Sequence, residues 1–227
     1  MENKTKIIWT AGQLTALVLQ DEINTSKKLA IRLLKQYPAV DQVGFVSKKT
    51  ATLTMMGGEL SINGCIAAGY TLGRSKQKQQ LLLSTSCVGE PIKIRLAESV
   101  VSASFPRTLI TSQTKNEVCL QGVRYQLIAG FPDSQTLTIE QRSTLTQMLS
   151  YDFAAGFIFY EGDRIIPVVA VAGTKTLYWE QACGSGSLAY WAISGCSNVL
   201  QPSGEYLLII PDSQYITISA TTKEILI

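Results

Sequence analysis

Apolar and polar positions alternate with a period of two through most of this chain and switch to a helical period in four places. Alternation predicts strands over 6–9 and 14–19, turning at Ala11-Gly12-Gln13, and over 42–47 and 50–55, turning at Lys48-Lys49. It predicts more over 80–84, 92–96 and 100–105, then over 118–120, 123–128, 156–160 and 164–171. Strands over 206–210, 215–219 and 224–227 close the chain. Residues 26–36 read as an amphipathic helix, with Leu29, Ile31, Leu33 and Leu34 among Lys27, Lys28, Arg32 and Lys35, ended by Pro38; 138–149 also reads as a helix. The remaining two helices, 63–72 and 185–193, are Ala-rich.

These elements repeat. Val43-Gly44-Phe45-Val46 recurs as Ala155-Gly156-Phe157-Ile158, and each copy leads to a polar turn that opens an Ala-rich helix. Aligned without gaps, Ser61 falls on Cys183, Asn63 on Ser185, Gly64 on Gly186 and Ala67 on Ala189. An internal duplication places two like halves at 1–112 and 113–227, with the polar stretch 111–115 as their seam. Two such halves would aim their helix N-termini at one shared cleft.

The chemistry follows from the second of those turns. Cys183-Gly184-Ser185-Gly186 puts a thiol where a helix begins, and there unpaired backbone N–H groups and the helix dipole favour an anion. A thiol so placed is drawn toward its reactive thiolate, and the same N–H groups can cradle a carboxylate. Ser61 has two readings, an N-cap or a proton-transfer group. Glu59 and Glu180 flank the two turns at similar distances, either as strand-end surface carboxylates or as site residues.

Composition narrows the options. The chain has 227 residues, 46% hydrophobic and 16% charged, with a net charge of +3 that gives no case for nucleic acid. Arg74, Lys76 and Lys78 read as a solvated loop after a helix. The chain contains no histidine, so a Ser-His-Asp triad, a Cys-His dyad and an HExxH metal site are all excluded. Any general base must be Cys, Asp, Glu, Lys or Tyr. The five scattered cysteines, odd in number and without a CxxC pair, fit a reducing, cytoplasmic setting and argue against a zinc site. No apolar run approaches the roughly 20 residues that span a bilayer, and the charged N-terminus is no signal peptide. The apolar content is compatible with a homodimer.

Several segments resemble the diaminopimelate epimerase-like superfamily of PLP-independent racemases and epimerases, and within it the histidine racemases of staphylopine-type metallophore pathways. They are Asp41-Gln42-Val43-Gly44-Phe45-Val46, the run from Met56 to Gly64, the run from Leu177 through Trp179-Glu180-Gln181-Ala182-Cys183-Gly184-Ser185-Gly186, and Gln201-Pro202-Ser203-Gly204. Ala11-Gly12-Gln13 resembles the family's Gly-Asn hairpin, so the likeness runs from end to end. The resemblance implies an α+β fold of two pseudo-symmetric halves, each a strand-rich, barrel-like sheet around a central helix, with the active site between them.

It also implies a cofactor-independent isomerase acting on a small amino-acid-like carboxylate, histidine included. In this family two cysteines face the substrate Cα from opposite sides; here Cys183 matches one, Ser61 stands at the other, and Ile62 replaces the following glycine. The expected catalytic residues are therefore Cys183 and Ser61, with Glu59 as a substitute base. Substrate contacts are expected from Gln13, Asn63, Gly64, Glu180, Gly184, Ser185 and Gly186. No metal, flavin, nicotinamide or PLP motif is expected to contribute. The missing thiol leaves two alternatives open: a one-base tautomerase or dehydratase, and a carboxylate-binding protein without catalysis.

Overall fold

In a computed structural model of the chain, which describes residues 4–22 and 24–226, the first half is a barrel closed by the last strand of the second. Its strands are β1 (Lys4–Thr10), β2 (Gln13–Gln20), β3 (Gln42–Ser47), β4 (Thr52–Met55), β5 (Gln80–Thr85), β6 (Val88–Ala97) and β7 (Val100–Pro106). The eighth stave is β16 (Tyr215–Ile225), which pairs with β7 on one side and β1 on the other. Two helices serve this half: α1 (Lys27–Gln36) between β2 and β3, and α2 (Ile62–Lys76) between β4 and β5.

The second half repeats the order. After β8 (Ile110–Gln113) come β9 (Glu117–Leu120), β10 (Val123–Ala129), α3 (Ile139–Met148), β11 (Ala154–Glu161), β12 (Arg164–Val171) and β13 (Thr176–Trp179). Then follow α4 (Gly184–Ser194), β14 (Asn198–Leu200) and β15 (Tyr206–Pro211), leading to β16. The pairings match sense for sense. β1–β2 and β9–β10 are antiparallel, β2–β3 and β10–β11 parallel, and β3–β4 and β11–β12 antiparallel. Duplication is thus written into strand direction as well as sequence.

The halves exchange strand ends. β7 runs through one 3-10 turn, Arg107–Leu109, into β8, which pairs with β9 of the second half. β16 runs from its pairing with β7 into its pairing with β1 of the first. Neither sheet is complete without the other half's chain.

Small residues explain how α2 fits inside a barrel. It touches all eight staves, and a Cβ at Gly69 would lie 2.5 Å from Ile94, one at Gly73 2.7 Å from Leu96. Its first two turns are buried, as are residues 184–190 of α4, which packs on β9, β10 and β15 and meets α2. The outer helices mirror each other too. α1 covers Val18 and Phe45 in one satellite core, and α3 covers Phe157 and Phe159 in another.

Three expectations change. Arg74 and Lys76 lie within α2, whose last turn they complete, rather than in a loop; cations there complement the helix dipole. The segments read as 215–219 and 224–227 are one continuous strand, β16, because pairing to two neighbours bridges a stretch without clean alternation; Ile227 lies outside the described residues. β8, β13 and β14 are short strands without a periodic signal, held by their partners.

Phe105 is fully buried where β7 meets β16, its Cα partner being Ile216. Phe105→Ala is expected to lower the unfolding free energy in a denaturant titration by about 3–5 kcal/mol. Leu82→Ala, at a position 58% exposed, is expected to cost under about 0.5 kcal/mol.

Candidate active site

The first turns of α2 and α4 meet between the halves, and their caps are equivalent. Ser61 is the N-cap of α2, and its Oγ accepts the Gly64 N–H at 2.9 Å. Cys183 is the N-cap of α4, and its Sγ accepts the Gly186 N–H at 3.2 Å. Both caps are extended, with φ/ψ of −122°/109° and −140°/105°. The glycines are required by closeness: a Cβ at Gly64 would lie 3.0 Å from Ser61 Oγ, and one at Gly186 3.1 Å from Cys183 Sγ. In each helix the cap side chain takes the third amide; the residues carrying the first two, Ile62 and Asn63 in α2 and Gly184 and Ser185 in α4, line the space between the halves.

That space is a small slot of about 30 Å³. Its walls include Ser61, Asn63, Glu59, Glu180, Cys183 and Ser185, together with Gln13, Ile62 and Gly184. Of the expected site residues, Gly64 and Gly186 stand one position behind the wall, holding the cap atoms. Ile62 packs on Gly184, where any Cβ would lie 2.6 Å from its side chain.

A hydrogen-bonded chain of side chains crosses the slot. Ser61 Oγ–H donates to Gln42 Oε1 at 2.7 Å, and Gln42 Nε2 donates to Gln13 Oε1 at 3.1 Å and to Thr15 Oγ1 at 2.6 Å. Gln13 Nε2 then donates to Glu180 Oε1 at 3.0 Å. Asn63 Nδ2 bridges the halves as well, donating to Gln13 Oε1 at 2.8 Å and to the Ala182 carbonyl at 3.1 Å. Its Oδ1 is buried without a hydrogen-bond partner among the described residues. Gln13 reaches this position because its hairpin docks on the second half: Ser203 Oγ–H donates to the Ala11 carbonyl at 2.6 Å.

Electrostatics separates the two caps further. Asp41, Glu59 and Glu180 all line the slot, and no Lys or Arg does. Burial pushes the Asp41 carboxyl up to about 6. Burial, then the neighbouring charge of Asp41, pushes Glu180 up to about 8, opposed by the hydrogen bond it accepts from Gln13. Burial raises Glu59 against the Gly57 N–H that its Oε2 accepts at 2.9 Å. Burial, and after it the charge of Glu180, pushes the Cys183 thiol up. The ligand-free slot therefore favours protonated groups, and positive charge from a bound molecule would favour their ionised forms.

Four residues escaped the sequence reading. Tyr125 places its OH 3.5 Å from Cys183 Sγ and 2.7 Å from Ser185 Oγ. Gln201 Oε1 accepts the Cys183 N–H at 2.9 Å, while its Nε2 donates to Ser187 Oγ at 2.9 Å. Gln42 and Asp41 complete the set. Asp41 and Gln42 stood inside a noted segment, and Gln201 opens another, so position within those runs was the available signal. Tyr125 had one only in the alignment of repeats, where it takes the place of Leu17. Among the described residues no set of three or more His, Cys, Asp or Glu is arranged to hold a metal, and no helix is long and apolar enough to cross a membrane.

The raised carboxyls make stability pH-dependent. Between the ordinary 4.5 of glutamate and about 8, folded Glu180 keeps a proton that the unfolded chain has released. Stability from this group is full below 4.5 and is lost as pH rises through about 8. The thermal midpoint is expected to fall from pH 5 to pH 8.5, and Glu180→Gln to flatten that fall; a parallel slope in the variant would contradict the assignment.

Comparison with known proteins agrees with this geometry. Residues 10–207, which take in both repeats, match the family model described as the histidine racemase CntK N-terminal domain. No curated protein matches in sequence. Among solved structures, a predicted epimerase of Pseudomonas aeruginosa superposes with a TM-score of 0.65 at 9% identity, over 99% of this chain and 98% of that one. A phenazine biosynthesis protein of the PhzF family from Enterococcus faecalis gives 0.60 at 12% identity, over 100% and 98%. A hydroxyproline epimerase of Agrobacterium vitis, with bound trans-4-hydroxy-L-proline, gives 0.56 at 11% identity, over 98% and 90%. The likeness to these structures is one of fold, and the family match carries the assignment: this chain belongs to the histidine racemase CntK family, within the racemase and epimerase type of isomerase.

Proposed function

We propose that the slot inverts the α-carbon of a small amino acid, histidine foremost, by moving one proton off one face and another onto the opposite face. The observation that carries this reading is the pair of equivalent N-caps, Ser61 and Cys183, lining one space together with the first two residues of each helix. The first-turn amides of both helices take the substrate carboxylate and stabilise the charge that spreads into it as the Cα–H bond breaks. Asn63 Oδ1, unpartnered and buried, is free to accept from the substrate ammonium.

Cys183 works the first face. Glu180, on the same wall of the slot, takes the S–H proton; the thiolate then takes the Cα proton, and the C–H electron pair passes into the substrate carboxylate. The other face needs an acid. Ser61 is poorly available, because its hydrogen goes to Gln42 and its oxygen accepts the Gly64 amide. Glu59 is the better donor: buried, raised in pKa and part of the same wall. Its O–H bond breaks as the new Cα–H bond forms. The three carboxyls and absence of lining cations favour a substrate with positive charge beyond its ammonium, such as imidazolium. The slot is far smaller than an amino acid, so in this reading the halves part to admit substrate and close to exclude water.

Chiral chromatography of L-histidine incubations, followed by a panel of amino acids with cationic side chains, tests the roles. Cys183→Ala is expected to abolish formation of the opposite enantiomer, and Glu59→Gln to slow it at least about a hundredfold. Ser61→Ala is expected to act mainly on stability, through a lost cap of about 1 kcal/mol. Undiminished inversion in Cys183→Ala would refute the thiol. Products that are eliminated or double-bond-shifted would favour the one-base reading, which the commitment of Ser61 to Gln42 supports.

A further inference from the structure

The two caps differ in what holds them, and the difference follows the repeat. In the first half Ser61 is held by Gln42, and the residue opposite Gly44 in the parallel β2–β3 pair is Leu17. In the second half the residue opposite Gly156 in the parallel β10–β11 pair is Tyr125. The half that carries sulfur therefore carries a phenol where its twin carries a hydrocarbon. Tyr125 is 1% exposed, and a Cβ on Gly156 would lie 3.1 Å from its ring, so its partner glycine makes room for it.

Hydrogen counting shows where this phenol acts. Tyr125 OH and Ser185 Oγ lie 2.7 Å apart, and each lies 3.5 Å from Cys183 Sγ. Two hydroxyls bring two hydrogens. One lies between the oxygens, whichever of them donates. The other is left facing sulfur, and neither oxygen has another acceptor among the described hydrogen bonds. With the Gly186 N–H at 3.2 Å, the sulfur in its thiolate form would have two donors within reach.

We propose that Tyr125 and Ser185 serve as one interchangeable hydrogen-bond donor to the Cys183 sulfur and hold its thiolate form in place. Both are positioning residues that act through Cys183; the proposal takes from the preceding section that Cys183 works as a thiolate. Either hydroxyl alone can supply the single hydrogen that sulfur needs. Losing one is therefore tolerated, whereas losing both removes the donor. An ordinary packing role for the Tyr125 ring would show no such redundancy, since phenylalanine fills the same space.

The test is the rate at which iodoacetamide alkylates Cys183 in the intact chain, read by mass spectrometry against part-exposed Cys196 as internal reference. Tyr125→Phe and Ser185→Ala are each expected to lower the Cys183 rate no more than about twofold. The double variant is expected to lower it about tenfold, beyond the product of the singles. A double-variant rate equal to that product, or equal to wild type, overturns the proposal. Should the double variant fail to give a cooperative thermal melt, Ser185→Ala is grown with 3-fluorotyrosine, a stronger donor. Its Cys183 rate must then rise relative to Cys196, and no rise overturns the proposal. The readout needs no substrate, so failure of the isomerase reading and failure of this donor pair are separate results.

Discussion

Unpaired amides at the start of a buried helix have to find acceptors, and this molecule buries two such starts against each other. α2 and α4 are enclosed by sheet, so water cannot serve their first turns as it would at a surface. The cap side chains satisfy one amide each, through an oxygen in one half and a sulfur in the other. The residues that carry the remaining amides line a common slot, and helix starts of this kind suit an anionic group. Catalytic potential here is a by-product of a capping requirement met twice.

Duplication sets the geometry and divergence sets the chemistry. Exchanged strand ends keep the halves in register, because β16 completes the first sheet and β8 extends the second. On that frame the two caps have acquired different surroundings. Ser61 sits in an amide network running through Gln42 and Gln13, while Cys183 sits among hydroxyls and a carboxylate. The amide network fixes a serine whose hydrogen is already spent. On the Cys183 side the hydroxyls of Tyr125 and Ser185 stand 3.5 Å from the sulfur, and Glu180 lines the same slot. Such asymmetry fits two faces that perform unlike halves of one proton exchange.

Much of this was legible in the sequence because it rests on local patterns. Strand alternation, the two apolar helices and the gapless match of Ser61 with Cys183 needed no tertiary information. The residues of those turns that line the slot were readable for the same reason. What stayed hidden depends on contacts between distant segments. Nothing around Tyr125 signals a role until β10 is laid beside β11 and Leu17 is seen at the matching place. The role of Gln42 appears only when its amide is found between Thr15, Gln13 and Ser61. The continuous β16 was hidden because its two parts are held by different partners. The lone acceptor on Asn63 is invisible until every other polar atom nearby has been paired.

The central claim is that one proton leaves from the Cys183 side and a different proton arrives from the other. Mass and chirality of histidine recovered at early times from a deuterium oxide incubation test it most directly. Starting from L-histidine, the account predicts D-histidine carrying deuterium at Cα from the first turnovers, while the remaining L-histidine still carries hydrogen. Deuterium entering the L pool as fast as the D product forms, or D-histidine that keeps its original hydrogen, would contradict it.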